Sequence, residues 1–128
     1  DPFLFVDEVT ALIPRKRAEG KWHLAEDFYA FKGHFPGTPM LPGVLMVEAI
    51  SQLGAFVILS EQEFAGKLPL FAGANNIKFR HAVKPGDTVH MEVELTRLSH
   101  LGGRGWGKAY VDSQLACEAE TSFVFIDA

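Results

Sequence analysis

The feature that most constrains this chain is a single apolar run, Gly43 to Leu59, entered through a loop dense in glycine and proline. Residues 33–42 hold two Gly and three Pro, which no regular element survives, so this stretch is a shaped loop. The helix expected from about Leu41 to Ser60 carries its proline at the start, where a missing N–H costs little. Apolar residues cover nearly every face of it, which predicts burial almost all round. At 17 residues, with Glu48, Ser51 and Gln52 inside it, the run is short and polar for a membrane span of about 20 apolar residues. A buried helix in a folded domain is the better reading.

The rest of the chain leans to strands. Phe3 to Ile13 is mostly apolar, Arg15–Arg17 is a polar turn, and Ala18 to Leu24 returns. Glu26 to Phe31 suggests a short helical turn. Leu68 to Phe79 reads as a strand, interrupted at Gly73, and Lys84-Pro85-Gly86-Asp87 as a turn. Val89, Met91, Val93 and Leu95 alternate with polar residues, the period of a half-buried strand. Four glycines between Gly102 and Gly107 are expected to break the sheet into a flexible hairpin, before strands at Trp106–Val111 and Leu115–Phe125 joined at Asp112-Ser113. Helices do not alternate with strands, which argues against a parallel doubly wound sheet. The expected class is α+β, one domain over 1–128, with an antiparallel sheet curled around one long helix.

Composition narrows the function. The apolar share is 48%, or about 55% once glycine is counted and tyrosine is not, against about 45–50% for ordinary soluble domains on that set. The surplus needs a destination beyond an ordinary core: a subunit interface or an apolar ligand tunnel. A net charge of −4 makes nucleic acid an unfavoured partner, because phosphate binding needs a positive face. One cysteine, Cys117, allows no intrachain disulfide and fits a reducing compartment; its place in a strand makes it a core residue. The opening Asp1–Phe5 lacks the basic n-region of a secretory leader, and a cytoplasmic location is expected.

Three groups in one stretch can do chemistry. His34, in the rigid loop, is the side chain best suited to proton exchange near neutral pH. Glu48 is a carboxyl in an apolar helix, where an unpaired charge is expensive, so it is paired, protonated or functional. Gln52 at i+4 lies on the same face and can hold Glu48. Gly43 falls in the first turn, where free N–H groups and the helix dipole would polarise a carbonyl oxygen, and glycine admits a ligand close to the backbone. The five histidines show no zinc-ligand spacing, so no metal is expected.

Gly33-His34-Phe35-Pro36-Gly37 through Met46-Val47-Glu48, with Gln52, closely resembles the active-site segment of the β-hydroxyacyl-acyl carrier protein dehydratases of bacterial type II fatty acid synthesis. Pro2–Asp7, Phe71-Ala72-Gly73, Lys78-Phe79-Arg80 and Pro85-Gly86-Asp87 agree in order, so the resemblance spans nearly the whole chain. It implies a hotdog fold, homodimers, and often trimers of dimers, with His34 of one subunit meeting Glu48 of the other. It implies loss of water from a (3R)-3-hydroxyacyl chain, carried on the phosphopantetheine of acyl carrier protein, to give the trans-2-enoyl thioester. His34 would remove the C2 proton, Gly43 N–H would bind the thioester oxygen, and Glu48, supported by Gln52, would protonate the leaving hydroxyl, with no cofactor. Leu70, Ile77 and Phe79 are candidates for the acyl tunnel; Leu70 stands where the family often has an aromatic residue. Arg80, Lys84 and Arg104 are candidates for docking the carrier protein. The alternatives are a dehydratase-isomerase, which usually has Asp in place of Glu48, an acyl thioesterase of the same fold, and a non-catalytic acyl-binding domain.

Overall fold

A computed structural model describes residues 4–31, 40–59 and 64–127. In chain order the elements are β1 (Glu8–Ile13), β2 (Arg17–His23), a 3-10 turn (Tyr29–Phe31), α1 (Gly43–Leu59), β3 (Lys67–Phe79), β4 (Thr88–Ser99), β5 (Gly102–Val111) and β6 (Gln114–Asp127). The strands form one sheet in the order β1-β2-β4-β5-β6-β3, antiparallel at every pairing. One helix packed on this sheet is the hotdog arrangement.

The helix is held more by burial than by propensity, since Val44, Val47, Ile50, Val57 and Ile58 are β-branched. Ile50, Leu53 and Val57 are fully buried against the sheet. The N-terminal approach is fixed by Leu41 N–H donating to Val83 O at 2.7 Å. The expectation of burial all round fails. The sheet covers one side of α1, and Val44 (70%), Phe56 (39%) and Leu59 (53%) remain exposed in the single chain.

A second expectation also fails: the glycines do not break the sheet. Gly102 to Gly107 run inside β5, and the reversal lies at His100-Leu101. These glycines make room. A Cβ on Gly105 would stand 2.8 Å from Glu94 O, and one on Gly107 would stand 2.1 Å from Ile50 Cγ2. At Gly107 the sheet can therefore approach α1 more closely than any side chain would allow, while Gly105 lets β5 lie close against β4.

Other differences are small. β1 begins at Glu8, and of the expected Phe3–Ile13 strand the residues before it are buried at Phe5 and Val6. Arg17 opens β2 and does not belong to the turn. β3 is continuous, with register slips at Phe71/Gly73 and Asn75/Lys78 in place of a break. Asp112 and Ser113 (φ 49° and 66°) make the tight hairpin read from the sequence. Among the described residues, no helix is long and apolar enough to cross a membrane.

Candidate active site

Glu48 sits on the half-buried side of α1, one and a half turns from Gly43. Gln52 Nε2 donates to Glu48 Oε2 at 2.9 Å, the i,i+4 contact expected from helical spacing. Gln52 Oε1 in turn accepts from the backbone N–H of Phe5 at 2.7 Å. The carboxyl is thus held from inside the helix and, through Gln52, from the segment ahead of β1.

That segment is fixed by an aromatic cluster. The Phe5 ring stacks on Trp22 with centroids 4.6 Å apart, and Phe28 meets both rings edge-on at 6.0 and 5.5 Å. Asp7 N–H donates to Lys21 O, and Asp7 Oδ2 accepts from His23 N–H, tying the segment to β2.

Glu48 and Gln52 line a cavity of about 250 Å³ between α1 and the sheet. Its walls are mainly apolar or backbone: Ala55 and Ile58 of α1, Phe71 of β3, Leu95 of β4, Gly105 of β5 and Phe123 of β6. Glu48 is the only titratable side chain among the described residues that line it. Ser51 also lines it, but its hydroxyl donates to Val47 O at 3.0 Å, so its proton is already engaged. An apolar slot with one oriented carboxyl suits an acyl chain bearing a single polar reacting centre.

Gly43 is the first residue of α1, as expected. A Cβ would lie 2.6 Å from Phe79 Cε1, so the space in front of the Cα is filled by the Phe79 ring. His34 lies outside the described residues. Leu70, Ile77 and Phe79 are not among the residues lining the cavity, whereas Pro69 and Phe71 of the same strand are. Phe71 and Thr121 carried no sequence signal as lining residues, because strand periodicity does not say which face meets the helix.

The docking candidates do not gather in one place. Arg80 N–H donates to Ala116 O, whereas Arg104 pairs with Ser122, six residues further along β6 or about 20 Å at 3.3 Å per residue. Arg80 also reaches Glu118 at 3.4 Å, and Lys84 is exposed in the turn closed by Asp87. Cys117 is fully buried, and burial followed by the charge of Glu118 pushes its thiol up to about 11. Among the described residues, no three His, Cys, Asp or Glu side chains come together as a metal site.

Comparison with known proteins gives one direction. Residues 1–120 match the family model described as a FabA-like domain. The chain is 48% identical over 126 residues to the 3-hydroxyacyl-[acyl-carrier-protein] dehydratase FabZ of Chloroflexus aggregans, covering 98% of this chain and 88% of that one. It is 46% identical over 122 residues to the protein of the same name in Bacillus subtilis, covering 95% and 86%. Among solved structures, the dehydratase heterocomplex ApeI:P of Xenorhabdus doucetiae superposes with a TM-score of 0.81 at 14% identity, over 98% of this chain and 85% of that one. A putative thioesterase of Ralstonia eutropha superposes at 0.74, also at 14% identity, over 91% and 83%. At such identities the structural likeness speaks for the fold alone.

Proposed function

The chain belongs to the FabA-like family, and from that premise we propose how Glu48 and His34 divide the removal of water from a (3R)-3-hydroxyacyl thioester. The activity is dehydration of 3-hydroxyacyl-acyl carrier protein in fatty acid biosynthesis. The observation that carries the residue assignment is Glu48 held by Gln52 at the wall of an apolar cavity. His34 takes the C2 proton, which the neighbouring thioester makes acidic. The C2–H electron pair becomes the C2=C3 bond. The C3–O bond breaks as Glu48 gives its proton to the departing hydroxyl, and water leaves. The N–H of Gly43 and the start of α1 stabilise charge on the thioester oxygen.

The working unit in this reading is a homodimer, open to assembly as a trimer of dimers, in the cytoplasm. Support comes from the apolar side chains the single chain leaves exposed on α1 and on β3, the sheet-edge strand: Phe56, Leu59, Leu70 and Phe71. His34 of one subunit then serves Glu48 of the other. The test is incubation with a 3-hydroxyacyl carrier protein. Trans-2-enoyl product from the wild type, lost in His34→Ala, is expected. Free acid or cis-3-enoyl as the main product, or unchanged turnover in His34→Ala, would overturn the assignment.

A further inference from the structure

The hydrogen-bond relay behind Glu48 has a fixed direction. A backbone N–H can only donate, so the Gln52 side-chain oxygen must face Phe5. The amide nitrogen is then forced toward Glu48, and it too can only donate. The Glu48 oxygen it meets must therefore accept. The origin of the relay is rigid, because Phe5 is fully buried and its ring is stacked on Trp22.

We propose that this relay assigns the acid proton of Glu48 to Oε1, the oxygen turned away from Gln52, and makes the main-chain N–H of Phe5 a positioning group for dehydration. The inference rests on the dehydratase reading above. In the step, the Oε1–H bond breaks, the proton passes to the C3 oxygen as the C3–O bond breaks, and the electron pair stays on the carboxyl. The resulting carboxylate keeps the N–H already donated to Oε2. An amide turned the other way would present its oxygen to Oε2. The carboxyl proton would then be drawn into the Glu48–Gln52 contact and away from the substrate. The direction set at Phe5 thus reaches the reacting atoms through two hydrogen bonds.

Two variants test this in the full-length protein with the dehydration assay. Replacing Phe5 by its α-hydroxy analogue converts one backbone amide to an ester, which deletes only the N–H and keeps the buried ring. A fall in kcat of about tenfold is expected, the worth of one hydrogen bond, with KM within twofold of wild type. Gln52→Glu is nearly isosteric and still accepts from Phe5, but when ionised it has no proton to donate. Its kcat should fall about 100-fold at neutral pH. It should recover on acidification, as the introduced carboxyl gains a proton to donate toward Glu48, while wild-type kcat shows no such gain. Wild-type kcat in the ester variant would overturn the proposal, as would a Gln52→Glu deficit that does not change with pH or a loss confined to KM. Absence of turnover in the wild type itself would overturn the dehydratase reading, and this inference with it.

Discussion

Gly107 meets the centre of α1 at a distance no side chain can share. A Cβ there would stand 2.1 Å from Ile50 Cγ2, 3.2 Å from its Cβ and 3.4 Å from its Cγ1. Carbon atoms in contact sit at about 3.5–4.0 Å, so Gly107→Ala demands a displacement of about 1.5 Å. Ile50 is fully buried and cannot swing into solvent. Overpacking a core costs about 1–3 kcal/mol, and the depth of this overlap places Gly107→Ala near 3 kcal/mol. Ile50→Leu moves the branch from Cβ to Cγ and deletes the overlapping atom, at a cost of about 1 kcal/mol alone. The double variant should then be more stable than the sum of the two losses by at least about 1 kcal/mol. Urea unfolding of all four proteins at one protein concentration measures this cycle. Turnover gives a second reading: Ile50 is two residues from Glu48, and a shift of about 1 Å at a reacting group costs about 100-fold. A Gly107→Ala loss below about 0.5 kcal/mol, or an additive cycle, would refute the reasoning.

Gly43→Ala provides the contrast. Its Cβ would overlap Phe79 at 2.6 Å, but that ring is half exposed and free to move, so urea unfolding should register a change within about 1 kcal/mol. Ser113→Gly removes a side chain from a position at φ 66° in the β5–β6 hairpin and should stabilise the fold by about 0.5–1 kcal/mol by the same measurement. The Cys117 thiol, raised to about 11 from an ordinary 9.0, should resist iodoacetamide at pH 8 in the folded protein and react readily in urea. Its native form holds the proton more tightly than the unfolded one. Its contribution to stability is therefore full below pH 9 and falls as pH rises from 9 through 11.

The α1 helix was legible because length, a proline at its start and one carboxyl in an apolar run all point to the same element. The alternation from Val89 to Leu95 and the Asp112-Ser113 turn were legible for similar reasons, as local patterns with one structural solution. The glycines of β5 were misread because a residue without a side chain carries no periodic signal. Their role appears only once the neighbours are in place, Ile50 against Gly107 and the backbones of β4 and β6 against the others. The open stripe at Val44, Phe56 and Leu59 was also beyond sequence, since hydrophobic periodicity does not tell a covering sheet from a covering subunit. At the site, Glu48 and Gln52 followed from i,i+4 spacing, but the Phe5 donor is main chain and any residue except proline would supply it. The apolar surplus has partial destinations here, in the cavity wall at Phe71 and Phe123 and in the uncovered side chains of α1.

The most direct measurement is the kcat of Glu48→Gln on a 3-hydroxyacyl carrier protein. The substitution keeps an oxygen able to accept from Gln52 and removes only the transferable proton. If Glu48 is the acid that releases the C3 hydroxyl, kcat falls by about 100-fold or more while KM and the unfolding midpoint stay near wild type. A variant that still forms the enoyl product at the wild-type rate would contradict the account.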